Sequence, residues 1–260
     1  MRQFYEPEMR MSLQLPRITW AVQRLILFNV IIFALYLALL PLETGLALRT
    51  GSARLSLFYW LGFHPGHFYY GFLWTPLTYQ FLHGGLLHLF MNMLWLFVFG
   101  PEVERVLGSR QFVRFYLACG ALGVLATGIP YVLTGQYATV IGASGATMGV
   151  LVAFAMIDPE RRFYMFPLPV PITAAWLVIL VVMFNVVGLR AGDPSTSIAT
   201  HFGGMIAGGA LMKGIPLFNR WRREQMLYTD RPGKRPSDES ERISKIGDAV
   251  DNIFRFKDDR

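Results

Sequence analysis

Charged residues and cysteine are both scarce in this sequence. Asp, Glu, Lys and Arg make up only 16% of the 260 residues, hydrophobic residues make up 53%, and the mean hydropathy is +0.39. Soluble domains carry about 25% charged residues, so this composition excludes an ordinary soluble domain and indicates a membrane protein. The single cysteine, Cys119, excludes a framework of disulfides within the chain.

Two kinds of hydrolytic site are excluded because their residues are missing. A zinc site of the HExxH type needs a glutamate directly after its first histidine, and none of the five histidines is followed by one. Aspartyl chemistry needs two neighbouring carboxylates, and the long apolar segments contain no pair of aspartates. We therefore predict that the protein uses no metal and no cofactor.

Apolar segments of membrane-spanning length are what the sequence has instead. A hydrocarbon core of about 30 Å needs about 20 apolar residues in a helix. Six segments approach this length, near residues 20–40, 86–100, 111–134, 144–157, 168–189 and 199–215. The third and fifth are full length, whereas the second, fourth and sixth are short. The sequence predicts an all-α polytopic membrane protein in which residues 20–215 form a six-transmembrane-helix bundle.

The net charge of +7 is distributed unevenly around these segments. Arginine and lysine cluster before the first segment and after the second, fourth and sixth, whereas the opposite side receives only Arg49, Arg54 and Arg190. Because cytoplasmic loops carry the excess of basic residues, both termini are predicted to be cytoplasmic, with residues 1–19 as a short N-terminal segment. The apolar run from Leu25 ends at Pro41 without a small-residue cleavage pattern, so we expect the first span to stay as an anchor. Since the membrane explains the charge, no nucleic-acid partner is predicted.

Two regions lie between or beyond the spans. The loop at about 42–81 is rich in Tyr and Trp, which favour the membrane interface, so we predict that it is partly immersed on the outer face; a small soluble hairpin is the alternative. Residues 216–260 are predicted to form a basic cytosolic tail that begins, beyond Asn219, as a flexible linker. Apolar residues at helical spacing between Ile243 and Ile253 suggest a short amphipathic helix near its end, with a mostly disordered tail as the alternative.

Four polar residues stand out inside the apolar segments: His88, Asn92, Ser144 and His201. Polar side chains within a span are unfavourable in lipid and usually face the protein interior or water. A helical rise of about 1.5 Å per residue gives the distance of each side chain from the predicted cytoplasmic end of its helix. This distance is about 20 Å for His88, about 21 Å for Ser144 and about 18 Å for His201. They therefore share one level below the outer surface. The backbone before Ser144 must be irregular at that depth, which requires that it lines protein or a water-filled cavity.

This set of side chains permits hydrolysis. A serine hydroxyl needs a base within hydrogen-bond reach, and His201 is the candidate for Ser144 if the fourth and sixth segments touch, which their glycines allow. His88 and Asn92 are four residues apart and share a helix face, from which they can stabilise an oxyanion together with N–H groups at Ser144. The alternatives are glycines that only pack helices and polar side chains that only hydrogen-bond between them.

Three motifs resemble one known family. The sequences "GASGA" around Ser144, "HLFMN" in the second segment and "HFGGMIAGG" in the sixth resemble the rhomboid family of intramembrane serine proteases, over roughly residues 20–215. The resemblance implies a six-helix rhomboid-like bundle that cleaves transmembrane substrates with a Ser–His dyad. Ser144 would be the nucleophile and His201 the general base and then acid. His88 and Asn92 would support the oxyanion, with Gly142 as the first glycine of the motif.

Other positions either extend the resemblance or depart from it. It implies a structural contact by Glu104 on the cytoplasmic side and a structural role for His83. Met148 stands where many members carry an aromatic residue stacked on the catalytic histidine, and the family's Trp–Arg pair is absent from the first loop. No acidic residue is placed to complete a triad, because Asp193 more naturally belongs to a turn. We therefore expect the base to be oriented mainly by packing.

The predicted function is an intramembrane serine endopeptidase that cuts single-span or multi-span membrane proteins near the outer face. The expected setting is the lipid bilayer of a bacterial cytoplasmic membrane, and the sequence does not predict an oligomeric state. The nearer alternative is a rhomboid relative that binds membrane proteins without cleaving them, although the presence of both Ser144 and His201 argues against it. A transporter is a further alternative, but it predicts paired halves with broken helices, and the two halves of the sequence show no similarity.

Overall fold

The structure is a computed structural model in which residues 17–52, 56–135, 138–164, 171–191 and 198–229 are described. Helices make up most of this part of the chain. In order they are α1 (Trp20–Thr50), α2 (Leu57–Leu61), α3 (Pro65–Tyr69), α4 (Thr75–Thr78), α5 (Leu86–Leu107), α6 (Ser109–Leu125), α7 (Gly128–Thr134), α8 (Ser144–Ile157), α9 (Ala174–Ala191) and α10 (Ile198–Thr229). A 3₁₀ turn, Tyr79–Phe81, follows α4, and two strands, β1 (Arg162–Tyr164) and β2 (Pro171–Thr173), lie between α8 and α9.

Several of these helices have the length and composition of membrane spans. Three stretches are long and apolar enough to cross a bilayer: α1, α5 and Ser109–Leu133, which joins α6 to α7. Ala174–Gly188 and α8 are shorter apolar helices. The prediction of a helical, multi-span membrane protein is confirmed, whereas the number of six spans stays a prediction.

Two helices run further than the sequence predicted. The first continues through Pro41 to Thr50, so the beginning of the expected outer loop is helical, and α5 continues through Pro101 to Leu107. A proline removes one backbone donor and strains one turn. In an apolar setting the residues on both sides still have to satisfy their backbone groups within the helix, so each helix continues past its proline instead of ending.

The predicted start of the fifth span was wrong. The apolar stretch was expected from residue 168, but β2 pairs antiparallel with β1, and α9 begins only at Ala174. The hairpin is held in place by Phe163, whose ring lies 5.3 Å from that of Phe99 and 5.5 Å from that of Phe154. The residues of β2 therefore satisfy their backbone groups by strand pairing and not by helix formation.

The chain forms two compact units, Met1–Met212 and Lys213–Arg260. In the second unit the helix continues from Lys213 to Thr229, so the flexible linker expected beyond Asn219 begins as a helix. The apolar stripe from Ile243 to Ile253, the turn at Asp193 and most of the N-terminal segment lie outside the described residues.

The predicted outer loop folds as a series of short helical turns, α2 to α4 and the 3₁₀ turn, and not as a small hairpin. It is joined to the segment before α8 by an antiparallel bridge in which Phe63 and Val140 exchange backbone hydrogen bonds of 3.0 and 2.7 Å. Phe63, Tyr79, Val124 and Val140 form a buried cluster there, with Phe68 packed against it. The loop therefore fixes the path of the chain as it approaches Ser144.

Helix α8 packs between α5 and α6 and against α10, and most of its side chains are buried. Glycines set these distances. A Cβ added to Gly149 would lie 2.7 Å from Cys119 Sγ and 2.9 Å from the carbonyl oxygen of Gly204, and one added to Gly123 would lie 2.9 Å from the Gly204 nitrogen. Because real Cβ contacts are longer, α6, α8 and α10 approach this closely only where a side chain is missing.

The beginning of α1 and the last turns of α5 are joined through Glu104. Its buried carboxylate accepts hydrogen bonds from the N–H groups of Ala21 (2.9 Å) and Val22 (3.0 Å), from the Ser109 hydroxyl (2.6 Å) and from the Thr19 hydroxyl. These bonds satisfy donors of the first turn of α1 that have no partner within their own helix. The structural contact expected for Glu104 is therefore present.

Candidate active site

The backbone turns sharply just before Ser144, which is the first residue of α8. Gly142 has φ of +109°, a value that L side chains rarely adopt, and its N–H donates to the carbonyl of Tyr79 at 2.9 Å. The first hydrogen bond of the helix runs from Thr147 N–H to the Ala143 carbonyl. The backbone before Ser144 is therefore irregular, as expected, and the hydroxyl sits at a helix N-terminus whose N–H groups point away from the helix body.

Ser144 and His201 are in contact. The Ser144 hydroxyl oxygen lies 2.8 Å from His201 Nε2, although the two residues are 57 positions apart on α8 and α10. Both side chains are half-buried. A Cβ on Gly145 would lie 2.8 Å from the Thr200 side chain, so the missing side chain at 145 allows this turn of α10 to reach the serine. A hydroxyl and an imidazole at this distance have the geometry required for proton transfer.

His201 has a second polar neighbour that the sequence analysis missed. Its Nδ1 atom lies 2.7 Å from Oδ1 of Asn185 on α9, and the Asn185 amide nitrogen donates to the carbonyl of Val181 at 2.8 Å. We expected the imidazole to be oriented mainly by packing, and the structure adds a hydrogen bond. The sequence did indicate this residue: in "VVMFNVVG" the asparagine is a polar side chain within an apolar stretch. His88, Asn92 and His201 were recognised by the same feature in their own segments.

His88, Asn92 and Gly142 lie together beside the serine. A Cβ on Gly142 would be 2.6 Å from His88 Nε2 and 3.8 Å from Asn92 Nδ2. The Asn92 amide donates to the His88 carbonyl at 2.9 Å and still has a second N–H. All three residues predicted to support an oxyanion therefore lie close together at the turn that precedes α8.

Two further residues of the motifs are buried. His83 meets the His88 ring edge-on, with ring centroids 5.1 Å apart, and its structural role stays a prediction. Met148, one turn along α8 from Ser144, is also buried.

The chain is similar to a family model and to several proteins that carry the same family name. The family model described as "Rhomboid domain" matches residues 70–216. The chain is 33% identical over 129 residues to the human presenilin-associated rhomboid-like protein, mitochondrial, covering 49% of this chain and 34% of that protein. It is 35% identical over 132 residues to rhomboid protein 1, mitochondrial, of Saccharomyces cerevisiae, covering 49% of this chain and 38% of the yeast protein.

A bacterial protein is similar over a comparable stretch. The chain is 30% identical over 147 residues to rhomboid protease GluP of Bacillus subtilis, covering 55% of this chain and 26% of that protein. The chain thus spans only about a third of the length of the curated relatives that it matches. The matched domain nevertheless includes more than half of the chain and every residue of the site described above. The chain belongs to the rhomboid family.

Proposed function

We propose that this protein is an intramembrane serine endopeptidase in which Ser144 and His201 form the catalytic pair. The observation that carries the proposal is the 2.8 Å contact between the Ser144 hydroxyl and His201 Nε2. The turn at Gly142, two residues before Ser144, packs against His88 and lies close to Asn92. A nucleophile, a base and a set of donors at one point are the parts that acyl transfer requires.

In the first half of the reaction the Ser144 oxygen attacks the scissile carbonyl. His201 Nε2 takes the hydroxyl proton as the C–O bond forms, and it then donates that proton to the leaving amine when the C–N bond breaks. In the second half, water attacks the acyl-enzyme with His201 again as base, and the serine hydroxyl is restored. One imidazole serves both steps because its Nε2 atom is the atom that faces Ser144.

The negative charge on the attacked carbonyl oxygen needs donors that are already in place. The donors that we propose are His88 and Asn92, which lie against the turn at Gly142, and the N–H groups at the start of α8, next to Ser144. The loss of one such donor typically lowers kcat by about 10²–10³. Gly142 contributes by having no side chain, since a Cβ there would lie 2.6 Å from His88 Nε2 and would displace that donor.

We infer that the substrates are transmembrane segments of single-span or multi-span proteins, cut near the outer face. A peptide in a helix hides its carbonyls in its own hydrogen bonds, so the favoured segments carry small or helix-breaking residues. In the topology that we propose, both termini are cytoplasmic, because the basic residues flank one set of helix ends. A bacterial cytoplasmic membrane stays a prediction, and the human and yeast relatives are named as mitochondrial.

A cleavage assay tests the proposal. The full chain, reconstituted in liposomes, is incubated with a single-span reporter, and Ser144→Ala and His201→Ala are compared with the unaltered protein. Each substitution is expected to reduce product by at least about 10³-fold, with the reporter cut near its outer boundary. The control is Thr147→Val, which removes another α8 hydroxyl, one that donates only to the Ser144 carbonyl at 3.1 Å.

The result also separates cleavage from binding. Equal product from all three proteins would reject the assigned pair. No product from any of them, combined with tight reporter binding that survives Ser144→Ala, would favour a non-cleaving member of the family.

A further inference from the structure

We propose that Asn185 is a positioning residue that fixes the tautomer and the orientation of His201, so that the site works as a Ser–His–Asn triad. The inference rests on the proposed function and adds a third element, α9, to a site otherwise built from α5, α8 and α10. Asn185 touches His201, not the substrate, and acts through the imidazole.

The orientation of the Asn185 amide is determined by its own helix. Its nitrogen donates to the Val181 carbonyl one turn back, at 2.8 Å. If the amide were flipped, its oxygen would face that carbonyl, and two acceptors would oppose each other. The amide oxygen must therefore be the atom directed at His201.

This orientation dictates the protonation of the imidazole. An amide oxygen only accepts hydrogen bonds, so the nitrogen 2.7 Å away, His201 Nδ1, must carry the proton. A neutral imidazole has one proton, which leaves a lone pair on Nε2. That lone pair faces the Ser144 hydroxyl at 2.8 Å, so the serine donates and the histidine accepts. The hydrogen bond that His201 Nδ1–H donates to Asn185 thus selects the one tautomer that can act as a base.

The same bond assists after the proton has moved. Once Nε2 is protonated the ring carries a positive charge, and the amide oxygen presents its negative end to Nδ1–H. A carboxylate would stabilise this charge more strongly, but a buried carboxylate is strongly disfavoured in apolar surroundings. A neutral amide avoids that desolvation, and papain-like proteases place an asparagine in the same relation to their histidine.

The position of Asn185 within α9 supports a specific role. The neighbouring side chains Met183, Phe184, Val186 and Val187 are exposed on the protein surface, where apolar side chains suit lipid. Asn185 is half-buried and is turned toward His201. A polar group in such a helix is expected to face a partner inside the protein, and here the partner is His201.

Two substitutions test the role in the reconstituted full chain. Asn185→Leu removes the acceptor while keeping a similar volume. The matched control is Asn29→Leu in α1, because Asn29 is buried and, like Asn185, its amide donates to a carbonyl one turn back, that of Leu25 at 2.8 Å. Both variants lose a hydrogen bond from a side-chain amide to a backbone carbonyl, so a comparison of their melting temperatures shows how much this loss destabilises the fold. Only Asn185→Leu also loses the contact with His201.

The first readout is the rate at which a fluorophosphonate probe labels Ser144, with Ser144→Ala as the blank. Asn185→Leu is expected to slow labelling by about 30-fold or more, since a wrong histidine tautomer costs up to about 10⁴ in a serine protease. The KM for the reporter should stay within a factor of about three of the unaltered protein. Asn29→Leu should label at the unaltered rate, and Asn185→Asp, which keeps an acceptor, should recover part of the loss.

The second readout is the ¹⁵N spectrum of His201, assigned with His201→Ala. The unaltered protein should show the Nδ1–H tautomer, and Asn185→Leu should show a mixture. A labelling rate in Asn185→Leu equal to that of the control, or an Nε2–H tautomer in the unaltered protein, would overturn the inference and leave the proposed function intact. No labelling of the unaltered protein would instead reject the proposed function, while the spectrum would still decide the tautomer.

Discussion

The ring of His88 occupies the place where a side chain at Gly142 would begin. A Cβ on Gly142 would lie 2.6 Å from His88 Nε2 and 2.7 Å from Cε1, and the backbone there has φ of +109°. Glycine is therefore required at this position for two reasons: the turn needs a positive φ, and the His88 ring leaves no room for a Cβ.

Gly142→Ala should displace His88 and reduce proteolysis by about 10²-fold or more, the effect of losing an oxyanion donor. Gly71→Ala is the matched control, because Gly71 has a similar φ of +100° but no atom within 4 Å of an added Cβ. Both variants should lose about 1–2 kcal/mol of stability from backbone strain, and only Gly142→Ala should lose activity. Reporter cleavage and melting temperature, measured on both proteins, check this. Equal activities in the two variants would contradict it.

Glu104→Gln should loosen the junction of α1 with α5. The substitution replaces a charged acceptor of four hydrogen bonds by an amide that has only one oxygen. Bonds to charged groups contribute about 1.5–3 kcal/mol, so the free energy of unfolding should fall by about that amount. The measurement is the rate at which a maleimide modifies Cys119, the single cysteine, which is fully buried.

The control for Glu104 is Glu102→Gln. Glu102 is partly exposed and pairs with Arg105 at the surface of the same helix, an interaction worth about 0–1 kcal/mol. Cys119 should be modified faster in Glu104→Gln and at nearly the unaltered rate in Glu102→Gln. Similar rates in the two variants would show that the buried carboxylate does not hold α1.

Gly149→Ala should separate α8 from α6 and α10. The added methyl would meet Cys119 Sγ at 2.7 Å and the Gly204 carbonyl oxygen at 2.9 Å, and such overpacking costs about 1–3 kcal/mol. Because Ser144 lies on α8 and His201 on α10, proteolysis should fall along with the melting temperature.

Gly209→Ala is the control for Gly149→Ala, because an added methyl group fits at position 209. Its Cβ would meet Val152 at 3.6 Å and Met156 at 4.0 Å, which is ordinary contact. Alanine also favours a helix over glycine by about 1 kcal/mol, so this variant should be equally or more stable and fully active. A lower melting temperature in Gly209→Ala than in Gly149→Ala would refute the packing argument.

The residues of the candidate site were largely recognisable from the sequence. Ser144, His88, Asn92 and His201 stand out because a polar group inside an apolar segment is unfavourable without a partner. Gly142 followed from the motif. Asn185 has the same kind of signal but was overlooked, since its partner lies on another helix and nothing along α9 indicates that helix.

The fold was less fully predictable at its boundaries. Pro41 and Pro101 suggested helix ends, yet both lie within helices, because the flanking backbone has no better way to satisfy its groups in apolar surroundings. Strand β2 was predicted to belong to the start of the fifth span. Its residues, Pro171–Thr173, could belong to a helix or a strand, and their pairing with β1 decided between the two.

The sequence by itself determined the class of the protein, the apolar character of its helices and the identity of the polar groups among them, because composition and spacing express how each segment interacts with lipid. Tertiary structure decided which atoms meet. The 2.8 Å contact between Ser144 and His201 joins residues 57 positions apart, and the contact between His201 and Asn185 joins residues 16 apart. Such contacts depend on how each helix is rotated against the others. That rotation is set by packing of glycines and side chains from several helices at once, which no single segment encodes.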